Sequence, residues 1–292
     1  MKSRFLSIVS CMFLASLCCL GKAPKSMLYD RIGMCSSPEN GGLLKEGGGY
    51  YIEIAIASFL MPESPDDEFQ SNAQKAKTCP LPICTANGFF PGDKIRLVGP
   101  EVDYDRIERY TEVAMRRAAE VGVKVAVLGS GAARKVPEGF SREKALEQFT
   151  EVCRRVAPIA AKYDVVVVIE PLNSKETNLV NSVLEGLEIV KAVKHPNLQV
   201  LADLYHMAVE NEGPESIIKA GKHLRHVHIA EKAHRTAPGI EGDDFTPYFR
   251  ALKKIKYKGS ISLECAFPDM EKQLKSSVEE VKRQLHEVYD NP

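Results

Sequence analysis

The chain of 292 residues has no tryptophan, and neither sign of charge is in excess: Lys and Arg number 39, Asp and Glu 39. Nucleic-acid grooves need clustered Lys and Arg to replace condensed counterions. No basic excess or stripe is present, so nucleic acid is not an expected partner. Long charge runs are missing too. With 44% apolar and 27% charged residues, the chain can bury a core, which excludes disorder as its main state. There is no Cys-x-x-Cys pair and no Cys/His cluster, so no structural zinc is expected. Three cysteines (Cys11, Cys18, Cys19) sit near the start, and five (Cys35, Cys79, Cys84, Cys153, Cys265) are widely spaced. An odd, scattered set is not a disulfide framework. Cys79 and Cys84 are near enough to pair in an oxidising compartment; the simpler reading is free or partly buried thiols.

Lys2 and Arg4 precede an uncharged run over 5–21, after which Lys22 and Pro24 open a polar stretch. This is the layout of a secretory signal peptide over residues 1–21. A membrane anchor is the alternative, although the run is short for a span and rich in Ser, Cys and Gly. Ile8-Val9-Ser10-Cys11 also has the form of a lipoprotein processing box. The expectation is an exported protein, periplasmic or secreted, touching a membrane only through this leader. Without a leader of this kind it would be cytoplasmic. Residues 22–292 then form one domain, with no internal repeat or linker.

Apolar runs over 30–36, 50–57, 83–88, 123–129, 165–170, 198–204, 224–230 and 260–265 read as strands. Helical patterns lie between them. Over 103–121, Ile107, Tyr110, Val113, Ala114 and Ala118 form a stripe stopped by Gly122. Ser141 can cap a helix carrying Leu146, Phe149, Cys153 and Val156. Ser182 and Glu185 form a capping box. Thr246-Pro247 reads as a cap followed by proline at the first helical position, and 270–288 is the last helix. The irregular stretch 60–82 is expected to include a short helix. Strand–helix alternation implies parallel strands with right-handed crossovers, and eight such units fit a single α/β (β/α)₈ TIM barrel. The GxGxxG turn of an open dinucleotide-binding sheet is missing; Gly129-Ser-Gly131 alone is a weak signal.

Four strands in succession end on chemistry: Glu170 on the fifth, Asp203 on the sixth, His226 and His228 on the seventh, Glu264 on the eighth. Barrel enzymes build their sites at that end. Ile261 and Leu263 face the helices, so alternation turns Glu264 towards the axis, and likewise Glu170 and His228. Three converging carboxylates would repel each other and raise each other's pKa. One divalent cation removes that conflict, and oxygen-rich ligation with one imidazole suits Mn²⁺, Mg²⁺ or Co²⁺. His226, deeper in the same strand, reads as a hydrogen-bonded core residue. Glu53, Asn87, Ser130 and Arg134 sit where they can line a pocket or serve the surface.

At these residues the sequence resembles the xylose isomerase-like barrels of sugar phosphate isomerases and epimerases. Within them it is most similar to the D-tagatose/D-psicose 3-epimerases and hydroxypyruvate isomerases. The resemblance covers most of the chain after about residue 30 and is strongest over 165–266. It implies a metal, Mn²⁺ first, held by Glu170, Asp203, His228 and Glu264. It implies substrate contacts from Glu176, His206 and Arg235. The interval from His228 to Arg235 is one residue longer than the family pattern, which leaves His234 as the alternative. It further implies that Glu170 and Glu264 move protons on the two faces of a planar enediolate formed from a ketose or keto sugar. A lyase or dehydratase acting on a keto sugar or inosose would use the same constellation. A sugar-binding protein without catalysis is the third reading. A trinuclear zinc endonuclease of this superfamily needs histidines on earlier strands, and no histidine precedes His195. Barrels of this family often pair, so a homo-oligomer is a further expectation.

Overall fold

A computed structural model describes residues 27–290. The leader read over 1–21 lies outside the described residues. Among the described residues no helix is long and apolar enough to cross a membrane.

In chain order the elements are β1 (Ile32–Cys35), α1 (Gly41–Glu46), β2 (Tyr51–Ala55), α2 (Asp66–Thr78), β3 (Ile83–Asn87), α3 (Tyr104–Glu120), β4 (Val125–Leu128), α4 (Arg142–Lys162), β5 (Val166–Ile169), α5 (Val183–Val193), β6 (Leu198–Asp203), α6 (Leu204–Val209), α7 (Glu215–Ala220), β7 (Leu224–Ile229), α8 (Thr246–Lys254), β8 (Ser260–Leu263) and α9 (Met270–Tyr289). The strands pair in sequence order, all parallel, and β8 closes on β1, giving the (β/α)₈ barrel expected from the alternation. The caps follow from side chains that accept exposed first-turn N–H groups: Asp103 on α3, Ser141 on α4, Ser182 on α5, Asp269 on α9. Two local readings change. Thr246 is the first residue of α8, not its cap: Phe245 precedes the helix, and the Thr246 N–H donates to the Asp244 carboxylate at 2.9 Å. Within 60–82 the helix is not short: α2 has 13 residues. Only Phe69 and Ala73 of α2 are buried, which leaves almost no apolar period to read. Three acids in its first turn and Lys75 and Lys77 in its last match the helix dipole.

Alternation along each strand divides the side chains between helix-facing and axis-facing sets. Ile32, Ile52, Ile54, Val167, Ile169, Val227, Ile229, Ile261 and Leu263 join one large core with the helices. The axis holds a separate, small apolar cluster of Val125, Val127, Val168 and Leu201 from β4, β5 and β6, with Val166 beside it. The other half of the axis is polar: Tyr51 and Glu53 of β2, Thr85 of β3, His226 and His228 of β7, Ser260 and Ser262 of β8. Gly33 makes room for it, since a Cβ there would lie 2.4 Å from the Tyr51 ring. The interior is therefore asymmetric, and the functional residues rise from its polar half and its rim. Among the described residues Cys35, Cys79, Cys84, Cys153 and Cys265 form no disulfide with one another, so Cys79 and Cys84 do not pair.

Candidate functional site

Glu53 is the centre of the polar half. Its side chain is fully buried, and four groups converge on its two oxygens. Oε2 accepts from Thr85 Oγ1 (2.6 Å) and Ser262 Oγ (2.5 Å) and meets His226 Nε2 at 2.8 Å; Oε1 meets His228 Nε2 at 3.0 Å. Burial alone would raise this carboxyl, but His228 and His226 outweigh it and hold it well below the usual range. His226 is thus a satisfied core histidine, its Nδ1 3.1 Å from Ser260 Oγ. Glu53 is neither loop nor surface, as the sequence left open; it is the residue that orients both imidazoles.

The opposite edge of His228 looks out of the barrel. Its Nδ1 lies 2.7 Å from Glu170, 3.3 Å from Glu264 and 4.0 Å from Asp203. One ligating atom from each of Glu170, Asp203, His228 and Glu264 lies within 4.8 Å of the others, a group that could hold a metal ion. Asp203 divides its labour. Oδ1 caps α6 by accepting from the N–H groups of Tyr205 (2.8 Å) and His206 (3.1 Å). Oδ2 is buried, faces the cluster and has no hydrogen-bond partner among the described residues. A buried oxygen left without a partner is costly, and a cation among three carboxylates would satisfy it. Burial and the neighbouring Glu170 and Glu264 push Asp203 up to about 8. Burial and Glu264 also raise Glu170. For Glu264 burial is outweighed by His228 and Arg235, which hold it at about 2. A divalent ion would lower all three together.

Glu170 owes its position to two neighbours. Arg134, fully buried, donates to the carbonyls of Glu170 (2.7 Å), Leu179 (3.1 Å) and Leu128 (3.2 Å). It clamps the strand ends from behind and does not line the pocket. Gly129 leaves the space the carboxylate fills: a Cβ there would sit 1.8 Å from Glu170 Oε2.

Arg235 enters the cluster and His234 does not. The Arg235 guanidinium pairs with Glu264, lies 3.6 Å from Asp203 and Glu176, and stacks 4.8 Å over the Tyr205 ring. The His234 side chain is 83% exposed. Both residues have left-handed φ, 57° and 53°, a strained pair that the loop must compensate. The compensation is Glu231, which the sequence reading passed over. Its buried carboxylate accepts from the N–H groups of Gly239 (2.8 Å), Glu241 (2.5 Å) and Gly242 (2.9 Å) and from the Thr236 hydroxyl (3.0 Å). Glu231→Gln would point an amide N–H at donors. It should cost about 1–3 kcal/mol in urea unfolding; an unchanged midpoint would show that the carboxylate does not hold the loop.

His206 is set by Asn173, also unassigned by sequence. The Asn173 backbone N–H donates to His206 Nδ1 at 3.2 Å, with its side-chain nitrogen 2.8 Å away. Nδ1 is therefore the acceptor and Nε2 carries the proton. Burial and Arg235 lower His206 to about 4, so the ring is neutral. Its Nε2–H is buried without a partner among the described residues, a donor aimed into the site. Asn173 also fixes Glu176, donating to Oε1 at 2.9 Å. All seven sequence-assigned residues thus meet at one mouth, bordered by Asn87, whose amide donates to Glu264 at 2.9 Å, and by Ser130, whose Oγ accepts from Phe90 N–H at 2.8 Å.

A closed parallel barrel with a carboxylate–imidazole cluster at its rim defines the class, and comparison places the chain within it. The family model for xylose isomerase-like TIM barrels matches residues 43–284; the chain belongs to that family. Among curated proteins, D-psicose 3-epimerase of Ruminiclostridium cellulolyticum is 35% identical over 231 residues, covering 74% of this chain and 77% of that protein. L-ribulose 3-epimerase of Methylomonas sp. is 38% identical over 131 residues, 44% of this chain and 45% of that protein, so that match spans less than half of the relative's length. The solved structure of D-allulose 3-epimerase from Methylomonas sp. superposes with a TM-score of 0.74 at 24% identity, covering 87% of this chain and 98% of that one.

Proposed function

We propose that the chain is a metal-dependent epimerase or isomerase of a small carbohydrate, acting by proton removal next to a carbonyl. The observation that carries the reading is the convergence of Glu170, Asp203, His228 and Glu264 around the unpartnered Asp203 Oδ2. The kinship with ketose 3-epimerases supports it. Those four residues would hold the cation, with Mn²⁺ the first choice for oxygen donors and one imidazole. When bound it would polarise the substrate carbonyl and favour negative charge on its oxygen.

The remaining work belongs to side chains. Glu170 and Glu264 flank the site, so one removes the proton from the carbon beside the carbonyl and the other supplies a proton to the opposite face. Return to the same carbon inverts it; return to the neighbouring carbon isomerises. The His206 Nε2–H and the Arg235 guanidinium would hold substrate oxygens, and Glu176 would accept from a hydroxyl. The test is deuterium incorporation from D₂O into a panel of ketoses and keto sugars by the Mn²⁺-loaded protein, read by mass spectrometry and NMR. Exchange is expected, and the labelled carbon separates epimerase, isomerase and lyase. Metal bound without exchange on any sugar would overturn the catalytic reading in favour of a binding role.

Gly129→Ala gives a sharper check on the cluster. The new Cβ would displace the Glu170 carboxylate while the barrel loses about 1–3 kcal/mol to overpacking. Affinity for Mn²⁺ by titration calorimetry should fall by about tenfold or more, the effect of disturbing one ligand's placement. Unchanged affinity would mean that Glu170 is not a ligand.

A further inference from the structure

Among the described residues two neighbouring cavities open at the mouth of the barrel, and the chemistry above occupies one. That cavity, about 470 Å³, contains Glu170, Glu176, His206, Arg235 and Glu264. The second, about 540 Å³, lies over β1, β2 and β3. Asn87 lines both. Cys35 and Glu53 line the second one where it meets the cluster, and Cys35 Sγ lies within 4.8 Å of ligating atoms of His228 and Glu264. Each volume alone is in the range of a small-ligand site.

The second cavity has fixed walls. Arg117, its side chain 1% exposed, donates to the carbonyls of Leu60 (2.9 Å), Met61 and Ser64 (2.8 Å) and to the Asp66 carboxylate. Asn72 donates to the Phe59 carbonyl at 2.9 Å. The segment after β2 that carries Ser58 and Phe59 is thereby held from two sides. The lining is hydroxyl, amide and aromatic: Ser36, Ser37, Ser58, Asn72 and Phe59. Its charged side chains are Glu53, at the cluster end, and Lys75 and Glu39, which pair at 2.9 Å at the open end. Among the described residues the permanent cation of the first cavity is Arg235, with the carboxylates of Glu264, Asp203 and Glu176 around it. In both cavities carboxylates outnumber cations, Glu39 and Glu53 against Lys75 in one and Glu170, Glu176 and Glu264 against Arg235 in the other, the reverse of what phosphate recognition needs.

From this geometry we propose that the substrate is an uncharged two-unit saccharide, its reacting ring against Glu170 and Glu264 and its second ring in the Ser37–Ser58–Phe59 cavity. The proposal rests on the reaction read above and names its substrate class. With the reacting ring as the glycosyl, non-reducing unit, the glycosidic bond blocks its anomeric carbon. The carbonyl beside the exchanging C–H must then sit on another ring carbon, as in a keto-glycoside.

Ser37→Trp and Ser58→Tyr test this, since both residues are exposed, line only the second cavity, and have no part in the proton transfers. The probes are a methyl 3-keto-glucoside, the corresponding 3-keto-disaccharide and 3-keto-glucose 6-phosphate. Calorimetric affinity and deuterium exchange are measured on Mn²⁺-loaded protein, with circular dichroism to verify folding. The disaccharide should bind about tenfold or more tightly than the methyl glycoside, a gain of about 1.4 kcal/mol. Each variant should remove that gain and leave methyl-glycoside binding unchanged. Equal affinity for the two glycosides, a gain that survives both substitutions, or preference for the phosphate would overturn the proposal. Exchange without the disaccharide gain leaves the reaction standing and removes the second site. The gain without exchange does the opposite, and no binding of any probe removes both.

Discussion

Substitution of Glu264 by glutamine should lower deuterium incorporation at the substrate carbon by about 10²–10⁴-fold, the contribution of one placed proton-transfer group. The fold should survive. Glutamine has the same shape, and Glu264 is 21% exposed at the rim rather than sealed in the core. The local consequences are specific. Arg235 loses its ion pair, and the one remaining oxygen can accept from Asn87 or from Arg235 but not from both. Substrate affinity should therefore weaken along with turnover. Glu170→Gln should produce a loss of similar size, and the double variant should fall well short of the product of the two, as expected for groups that act as a unit. Exchange that persists in the Glu264→Gln protein would show that the proton moves elsewhere.

Replacement of Glu53 by alanine should be the most destabilising change in the interior, by about 3–5 kcal/mol in urea unfolding. The reason is the company Glu53 keeps. Removing its carboxylate takes the acceptor from the Nε2 atoms of His226 and His228 and from the Thr85 hydroxyl, and leaves Ser262 with Tyr51 and His226 alone. Glu53→Gln separates this structural role from a chemical one. The glutamine amide would turn a donor towards at least one group that now donates. If it faces His228 Nε2, the imidazole must accept there and carry its proton on Nδ1, the nitrogen that faces Glu170, Asp203 and Glu264. A protonated Nδ1 has no lone pair for a cation. Affinity for Mn²⁺ should then fall about 10–100-fold, the usual effect of removing the partner that orients a metal-binding imidazole, and the imidazole NMR signals should change tautomer. If Mn²⁺ affinity is retained at reduced stability, Glu53 serves the core and not the site.

Much of this protein is local information. The eight strands follow from short apolar runs whose alternation also assigns their faces, and Glu170, His228 and Glu264 turn inward by that parity alone. The caps Asp103, Ser141, Ser182 and Asp269 need nothing beyond their own first turn. Helix α2 was hard to see for the converse reason: it buries only two side chains and so writes no period into the chain.

What the tertiary structure decided is which polar residues become partners. The groups around Glu53 stand 32, 173, 175 and 209 positions away in the chain, and no local pattern reports such distances. Arg134 had the sequence position of a pocket residue, yet three carbonyls from separate segments bury it behind the site. Between His234 and Arg235, spacing left two candidates. The loop wound around Glu231 directs one side chain into the cluster and the other into solvent. Parity and capping are set within a few residues by covalent geometry, and so they are legible in sequence. Buried polar partnership is set by barrel closure, which brings β2, β7 and β8 together around one axis, and only the closed fold states who meets whom.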